Sequence, residues 1–348
     1  RILKNNNIVI FKNDAVGDLV QSLDTINNII NHNKKTKITI YLSERSKNFD
    51  FLLKFVNVEI KFLNYDLSFI EKIRIIYNLV ITNINSIYIL TPKNFYFYLP
   101  FLFRKIKFYG LCMNDTNDYK RPSDFLRKYL YKFVVNERNK ITKRKSTMEI
   151  QVDLTSDLKF NQNYKINLIP DFKIDEYSKI NNYIYFHLKF ENFKKLGWGT
   201  KELNIIFEEF LKYRKKVIFT RDIEVNDNNS EYKKHFNVIN FSTNEKIDNN
   251  SEIFLFDNIK GSDLYNVIRE ADKVVAFHGM MTNLATIEKR PVLDLFYCDI
   301  KSLADYRRYK NALYEFKPIY KNYDFIVPSK NITKTINKMK FSLKKLYG

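Results

Sequence analysis

Two carboxylates stand four positions apart, Asp14 and Asp18, in the string IVIFKNDAVGDLVQSL. The apolar run before them, residues 8–11, reads as a strand, and the residues from about 18 onward as a helix. Both carboxylates therefore fall at the C-terminal mouth of a strand, where open α/β sheets place ligands. A helix N-terminus favours the ionised form of Asp18. An ionised carboxylate there could take a proton from a sugar hydroxyl; it could equally do no more than cap the helix. A second candidate site lies in ADKVVAFHGMMTNLATIEKRPVLDLF, residues 271–296. Gly279 supplies a turn after a strand, and the amides of Met281, Thr282 and Asn283 fall at the start of the following helix. Such amides, with the helix dipole, attract phosphate. His278, beside the turn, suits a hydrogen bond to a leaving group, a contact to a sugar, or a structural role. Lys194 and Lys195 sit in KFENFKKLGWG, read as a loop at the mouth of another strand. A lysine there is a mobile positive charge for a diphosphate, or else part of a solvated loop anchored by Trp198.

The elements that must position these residues alternate as β-loop-α-β. In the first half, a helix stripe of Leu19, Leu23, Ile26 and Ile30 leads to a strand at 38–42. Further strands are expected at 58–63, 79–82 and 88–90, and helices at 46–55, 67–77 and 124–135. No GxGxxG occurs, so a nicotinamide cofactor is not indicated. Residues 136–180 are polar and weakly periodic, with a strand expected at 149–154. A second series starts with a strand at 183–188 and a helix that Thr200 can cap, carrying Leu203, Ile206, Phe207, Phe210 and Leu211 on one face. Strands at 217–220 and 253–256, a helix at 262–271, and the 271–296 stretch follow. The expected division is 1–165, 166–330 and a closing helix at 331–348.

The chain of 348 residues is 45% hydrophobic and 16% aromatic, enough to bury substantial cores. A formal charge of +20 favours anionic partners, although Asn, Lys and Ile abound throughout and the basic residues are spread. No zinc-finger spacing or RNA-binding sheet motif occurs, so nucleic acid is not an expected partner. Cys112 and Cys298 form no framework, which suits a reducing compartment. No run approaches the ~20 apolar residues that span a bilayer, and the first residues show no signal-peptide pattern. The expected location is cytoplasmic, with a peripheral contact to the membrane face left open. The stretch KNFYFYLPFLFRKIKFYG, residues 93–110, mixes aromatics with Arg104, Lys105 and Lys107. It suits a lipid headgroup surface or an amphiphilic acceptor, or alternatively a core with a solvated edge.

The order of these motifs resembles GT-B glycosyltransferases, and within them the heptosyltransferases of glycosyltransferase family 9. IVIFKNDAVGDLVQSLDTINNI matches the family's strand, GD loop and helix. YIYFHLKFENFKKLGWGTKELNIIFEEFL matches its strand, K-x-W-type loop and helix. VVAFHGMMTNLATIEKRPVLDLF matches its strand, D-[ST]-G-x-x-H-like turn, helix and Pro-led strand. The resemblance implies an α/β fold of GT-B architecture, two Rossmann-like domains facing a central cleft. It implies Asp18 as base, with Gly17 and Asp14 on the acceptor side. Lys195, or Lys194, would meet the donor phosphates, and Gly279, Met280, Met281, Thr282 and Asn283 would cradle the diphosphate. Glu224 would contact the donor ribose. Two departures stand out. Phe277 and His278 occupy the D-[ST] positions, removing an acidic contribution, and Thr282 or Asn283 replaces the histidine. The HGxxTN string also resembles the HGAGLTN turn of glycosyltransferase family 61. The implied activity is inverting transfer from a nucleotide sugar, ADP-heptose being the family's best-known donor, to a cell-surface glycan or lipopolysaccharide-type acceptor. No cofactor is implied, and the absence of a DxD string fits a reaction without metal. The alternatives are a Kdo or hexose transferase, or a degenerate scaffold in a polysaccharide assembly complex.

Overall fold

In the computed structural model, residues 7–113, 124–136, 145–158, 182–222, 234–241, 251–299, 301–318 and 322–347 are described. They group into two units. The first holds Arg1–Ile169 with Ile300–Ile319, and the second holds Pro170–Asp299 with Tyr320–Gly348. The segment 300–319, assigned from the sequence to the second half, therefore groups with the first.

The first unit is a parallel sheet with helices on both faces. Its strands are β1 (Asn7–Lys12), β2 (Ile38–Ser43), β3 (Val58–Leu63), β4 (Ile84–Ile89), β5 (Lys107–Met113) and β6 (Lys132–Asn136). They lie in the order β3-β2-β1-β4-β5-β6, every pair parallel. The order reverses between β1 and β4, which makes their C-terminal ends the switch point where such sheets hold ligands. Helix α1 (Val16–His32) begins at Ala15 with no side-chain cap, so Asp18 stands in its first turn rather than at its cap. Helix α2 (Phe69–Ile81) starts on a capping box of Ser68 and Glu71. Helix α3 (Asn94–Leu102) and the short α4 (Asp124–Arg127) follow. Ile75, Leu79, Tyr96, Phe97, Leu99 and Leu126 of these helices share one core with Val9, Phe11, Ile87, Ile89 and Phe108 of the sheet.

In the first unit, local structure departs from the sequence expectation in four places. Residues 46–55 hold a 3-10 helix, Glu44–Leu53, instead of an α-helix. The strand expected at 79–82 is the end of α2, and β4 begins after it. The helix expected at 124–135 stops at Arg127 and gives way to β6. The strand expected at 149–154 is helix α5 (Thr147–Leu154). There Ser146 accepts from the Glu149 amide while Glu149 accepts from the Ser146 amide, so a capping box decides for the helix. Helix α5 packs on α1.

The second unit repeats the plan. Its strands are β7 (Tyr183–Leu188), β8 (Lys216–Arg221), β9 (Asn237–Asn240), β10 (Ile253–Asp257), β11 (Lys273–Phe277), β12 (Val292–Leu295) and β13 (Tyr323–Ile326). They run in parallel in the order β13-β12-β11-β7-β8-β10-β9, reversing between β7 and β11. The stretch 189–199, expected as a loop, is largely helix α6 (Phe190–Leu196). Gly197 ends it in the left-handed conformation, φ 70°. Helix α7 (Thr200–Leu211) has Gly199 at its cap, not Thr200. Helices α8 (Ser262–Glu270) and α9 (Met280–Ile287) flank β11 in sequence. Helix α10 (Leu303–Phe316) is the excursion to the first unit. It packs against α5, and the Asn136 amide of β6 donates to Glu315 Oε1 at 3.3 Å. Helix α11 (Ile332–Tyr347) closes the second unit. Its Ile336, Met339 and Leu343 join a core with Phe207 and Phe210 of α7 and Phe186, Phe219 and Phe277 of the sheet. Trp198 is a packing anchor: it is buried edge-on against Phe193, and its indole N–H donates to the Lys330 carbonyl at 3.3 Å.

Candidate functional site

In the second unit, the switch point brings together the ends of β7 and β11. Lys189 is the first residue after β7, and its ammonium donates to the His278 carbonyl at 2.8 Å. A Cβ on Gly279 would stand 3.4 Å from that same nitrogen. Beyond Gly279, helix α9 begins. The Thr282 hydroxyl donates to the Gly279 carbonyl at 2.7 Å and lies 3.3 Å from the Gly279 amide, so it is spent inside the turn. The Asn283 amide already bonds the Gly279 carbonyl at 3.3 Å. The donors left at this helix start are thus the amides of Met280, Met281 and Thr282, which no carbonyl within the helix can reach. This shifts the expected set by one residue. The Asn283 side chain is buried, with its Oδ1 lacking a hydrogen-bond partner among the described residues.

His278 is held from behind. Its Nδ1 lies 2.6 Å from Asp294 Oδ2, and the Tyr323 hydroxyl donates to that same oxygen at 2.6 Å. Asp294, on β12, is fully buried. A carboxylate at Nδ1 requires the proton on that nitrogen, which fixes the ring's orientation and tautomer. The ring also packs on Phe296, with centroids 4.6 Å apart. The sequence pattern suggested that an acidic group is lost at positions 277 and 278; Asp294 brings one to His278 from the neighbouring strand.

A second histidine at this end, His187 of β7, meets Thr220 Oγ1 at 2.9 Å and Asp222 Oδ1 at 3.3 Å. Burial alone would raise the Asp222 carboxyl. The His187 hydrogen bond and charge, with Lys189 nearby, hold it below the usual carboxylate range. Lys194 and Lys195 are exposed in the last turn of α6, and the structure brings Lys189 rather than either of them onto the turn at Gly279. Glu224 lies outside the described residues.

The mouth of the first unit has a different make-up. Lys12, at the end of β1, is 2% exposed and donates to Asp14 Oδ2 at 2.8 Å and to the Leu90 carbonyl at 3.4 Å. Asp14 is therefore the buried partner of a lysine. Asp18 stays partly exposed in the first turn of α1, one residue after Gly17. Asn13, just past β1, ties its strand end to those of β3 and β4. Its amide donates to the Asn64 carbonyl at 3.2 Å, its Oδ1 accepts from Tyr96 at 2.8 Å, and its carbonyl accepts from Lys93 at 3.1 Å. Burial lowers the Lys93 ammonium below the ordinary lysine range, against the opposing pull of Asp14 and Asp66. Tyr65, just past β3, lies under both Lys93 and Arg45, at 4.5 and 4.4 Å from its ring centre. Burial, then the charges of Asp14 and Asp18, push its hydroxyl upward. Tyr65 therefore shares one electrostatic neighbourhood with the two carboxylates.

No family model matches the chain, and no curated protein matches it. Solved structures do. A glycosyl transferase of family 9 from Veillonella parvula superposes with a TM-score of 0.64 at 10% identity, over 97% of this chain and 90% of that one. The E. coli ADP-heptose lps heptosyltransferase II gives 0.61 at 10% identity, over 98% of this chain and 100% of the other. A putative UDP-N-acetylglucosamine 2-epimerase from Listeria monocytogenes gives 0.54 at 10% identity, over 97% and 88%. The fold is that of the GT-B glycosyltransferases, with two parallel-sheet α/β units. At such identities the likeness speaks for fold alone, since one fold hosts several chemistries.

Proposed function

We propose that the protein is a metal-independent, inverting glycosyltransferase that moves a sugar from a nucleotide-sugar donor to a glycan or glycolipid hydroxyl. One observation carries this reading: Lys189, His278 and the open start of α9 converge at the switch point of the second unit. The amides of Met280, Met281 and Thr282 would receive the donor diphosphate. Lys189 would neutralise it, with Lys194 and Lys195 as further cations on the exposed end of α6. As the anomeric bond breaks, negative charge grows on the leaving oxygen, and fixed donors there lower the barrier. His278, oriented by Asp294, would add a hydrogen bond to that oxygen or to the sugar. Asp222 or Glu224 would contact the ribose. Asp18 in the first unit would take the acceptor proton, with Asp14 and Gly17 shaping the acceptor side.

Two of the superposed proteins are named for transfer chemistry, and one of these for ADP-heptose; an ADP-linked sugar is therefore the first donor to try. A degenerate scaffold is the weaker reading, because its main support was a lost acidic group and Asp294 now stands against His278. The test is a thermal-shift panel of ADP-, GDP-, UDP- and CMP-sugars. One nucleotide class should raise the melting temperature of the protein and fail to do so in Lys189→Met. A flat response to every nucleotide would sink the proposal.

A further inference from the structure

Helix α2 is apolar on two faces. Ile75 and Leu79 point into the core of the first unit. Phe69, Ile70, Ile73, Tyr77, Val80 and Ile81 do not: Phe69 is 75% exposed, Ile70 68% and Val80 66%. Their spacing repeats every three to four residues, so they form one outer stripe along the helix. A helix that is apolar all round is ordinarily buried all round. Helices α3 and α4, which share the core of α2, also carry exposed apolar side chains. Tyr98, Phe101 and Leu102 of α3 and Phe125 of α4 are exposed, and Phe101 meets Tyr129 edge-on at 5.5 Å. Apolar surface on this scale marks a docking face.

Its charge is one-sided. Between residues 69 and 113, leaving aside Lys93 at the strand-end mouth, the sequence has five basic residues, Lys72, Arg74, Arg104, Lys105 and Lys107, and one acidic residue, Glu71; α4 adds one of each, Asp124 and Arg127. Glu71 is held by the amides of Asn64 and Ser68, at 2.8 Å each. Arg74 is exposed between Ile73 and Tyr77. The Arg104 guanidinium lies over both Phe101 and Tyr129, at 5.4 and 5.7 Å from the ring centres. Lys107 lies 4.9 Å from the centre of Tyr131.

We infer that this outer face of α2, α3 and α4 docks on an anionic lipid surface. Aliphatic and aromatic side chains would enter the headgroup boundary while Arg74, Arg104, Lys105 and Lys107 meet the lipid charges. Charge complementarity selects this occupant over a second copy of the chain. A two-fold contact sets the same patch against itself, so the basic rims would repel. Among the described residues no helix is long and apolar enough to cross a membrane, so the contact is made along the surface. The inference stands apart from the transferase reading, because vesicles test it without any sugar nucleotide.

The experiment is co-sedimentation with vesicles of phosphatidylcholine alone and of an equal mixture with phosphatidylglycerol, at low and high salt. The protein should pellet with the mixed vesicles at low salt and leave them at high salt or without the anionic lipid. Arg104→Glu with Lys105→Glu, and separately Ile73→Asp with Val80→Asp, should each lower partition about tenfold or more. Unchanged melting temperatures would show that these variants fold. Lys344→Glu with Lys345→Glu makes the same charge change on α11 and should keep the binding. Three results would overturn the inference. One is no partition on mixed vesicles; another is equal loss in the α11 variant, which would assign binding to net charge alone. The third is a dimer in light scattering that Ile73→Asp with Val80→Asp dissolves, which would assign the face to a second copy.

Discussion

The two strand-end mouths share a topology and differ in the charges they hold. Each lies where a parallel sheet reverses its strand order, and each has a lysine at or just past the end of the unit's first strand. Lys12 in the first unit is buried, and Asp14 neutralises it. Lys189 in the second is partly buried and rests on a backbone carbonyl beside an open helix start. One mouth therefore neutralises its strand-end lysine with Asp14 and keeps a second carboxylate, Asp18, partly exposed. The other presents positive charge and amide donors. A group that must lose a proton and a group that must gain negative charge need opposite environments, and a duplicated plan can provide both only by diverging at such positions.

The sharpest break in the comparison is Asp18→Asn. If the first mouth supplies the base, turnover should fall about 10²–10⁴-fold while the donor still raises the melting temperature. Full activity would remove Asp18 from the mechanism and leave the first mouth without a chemical task. Next is Lys12→Met. It leaves Asp14 a buried carboxylate without its direct ion-pair partner, a change that costs about 3–5 kcal/mol. Denaturant unfolding should show a loss of that order, and a much smaller loss would mean that Asp14 finds water or protonates. Lys189→Met should be gentler on stability and harder on the ligand. A charged hydrogen bond is worth about 1.5–3 kcal/mol, so donor affinity by calorimetry should fall roughly ten- to hundredfold. The same change at Lys195 should cost less, because Lys195 points into solvent from the end of α6; the reverse ranking would return the phosphate role to the sequence assignment.

Much of this plan is legible in the residues. Parallel strands buried on both faces read as unbroken apolar runs, and VVAF, YIYFHL and IVIF are of that kind. The turn at Gly279 and the carboxylate at Asp18 stand out because they interrupt such runs. Lys189 does not stand out, since lysines occur throughout this chain and only the geometry of β7 singles one out. Asp294 was legible in principle. A carboxylate inside the apolar run VLDLF must find a partner to be buried, and that requirement alone points to a neighbour such as His278. The helix at 147–154 was equally readable from Ser146 and Glu149. Tyr65 was not, because its role arises only when the ends of β1, β3 and β4 come together.

Asp294→Asn tests whether the second mouth depends on its support. Asp294 Oδ2 accepts from both His278 and Tyr323; an amide oxygen in that place carries no charge to hold the imidazole, and its NH2 must sit at the buried Oδ1 position, which has no hydrogen-bond partner among the described residues. A stability loss of about 1–3 kcal/mol is expected in denaturant titration. Tyr323→Phe should lose about 0.5–1.5 kcal/mol, because it removes one bond and leaves the histidine oriented. Equal activity in both variants would reduce His278 to a structural residue.

The smallest effect sets Lys12 against a second buried lysine, Lys273, at the opposite end of β11 from the mouth. Burial first, then Arg214, lowers its ammonium to about 8, with Asp272 pulling the other way. The unfolded value is near 10.4, so between pH 8 and about 10.4 the unfolded chain binds the proton that the folded one has lost. Stability from this residue should therefore rise with pH across that window and be lowest below it. Lys273→Met removes the cost of burying the charge, so at pH 7 it should be neutral or stabilising. The gap between variant and parent should close as the pH approaches 10. A loss at pH 7 comparable to that of Lys12→Met would show that the Lys273 ammonium is as well compensated as the one beside Asp14, and that the difference between the two ends of these sheets is smaller than the geometry implies.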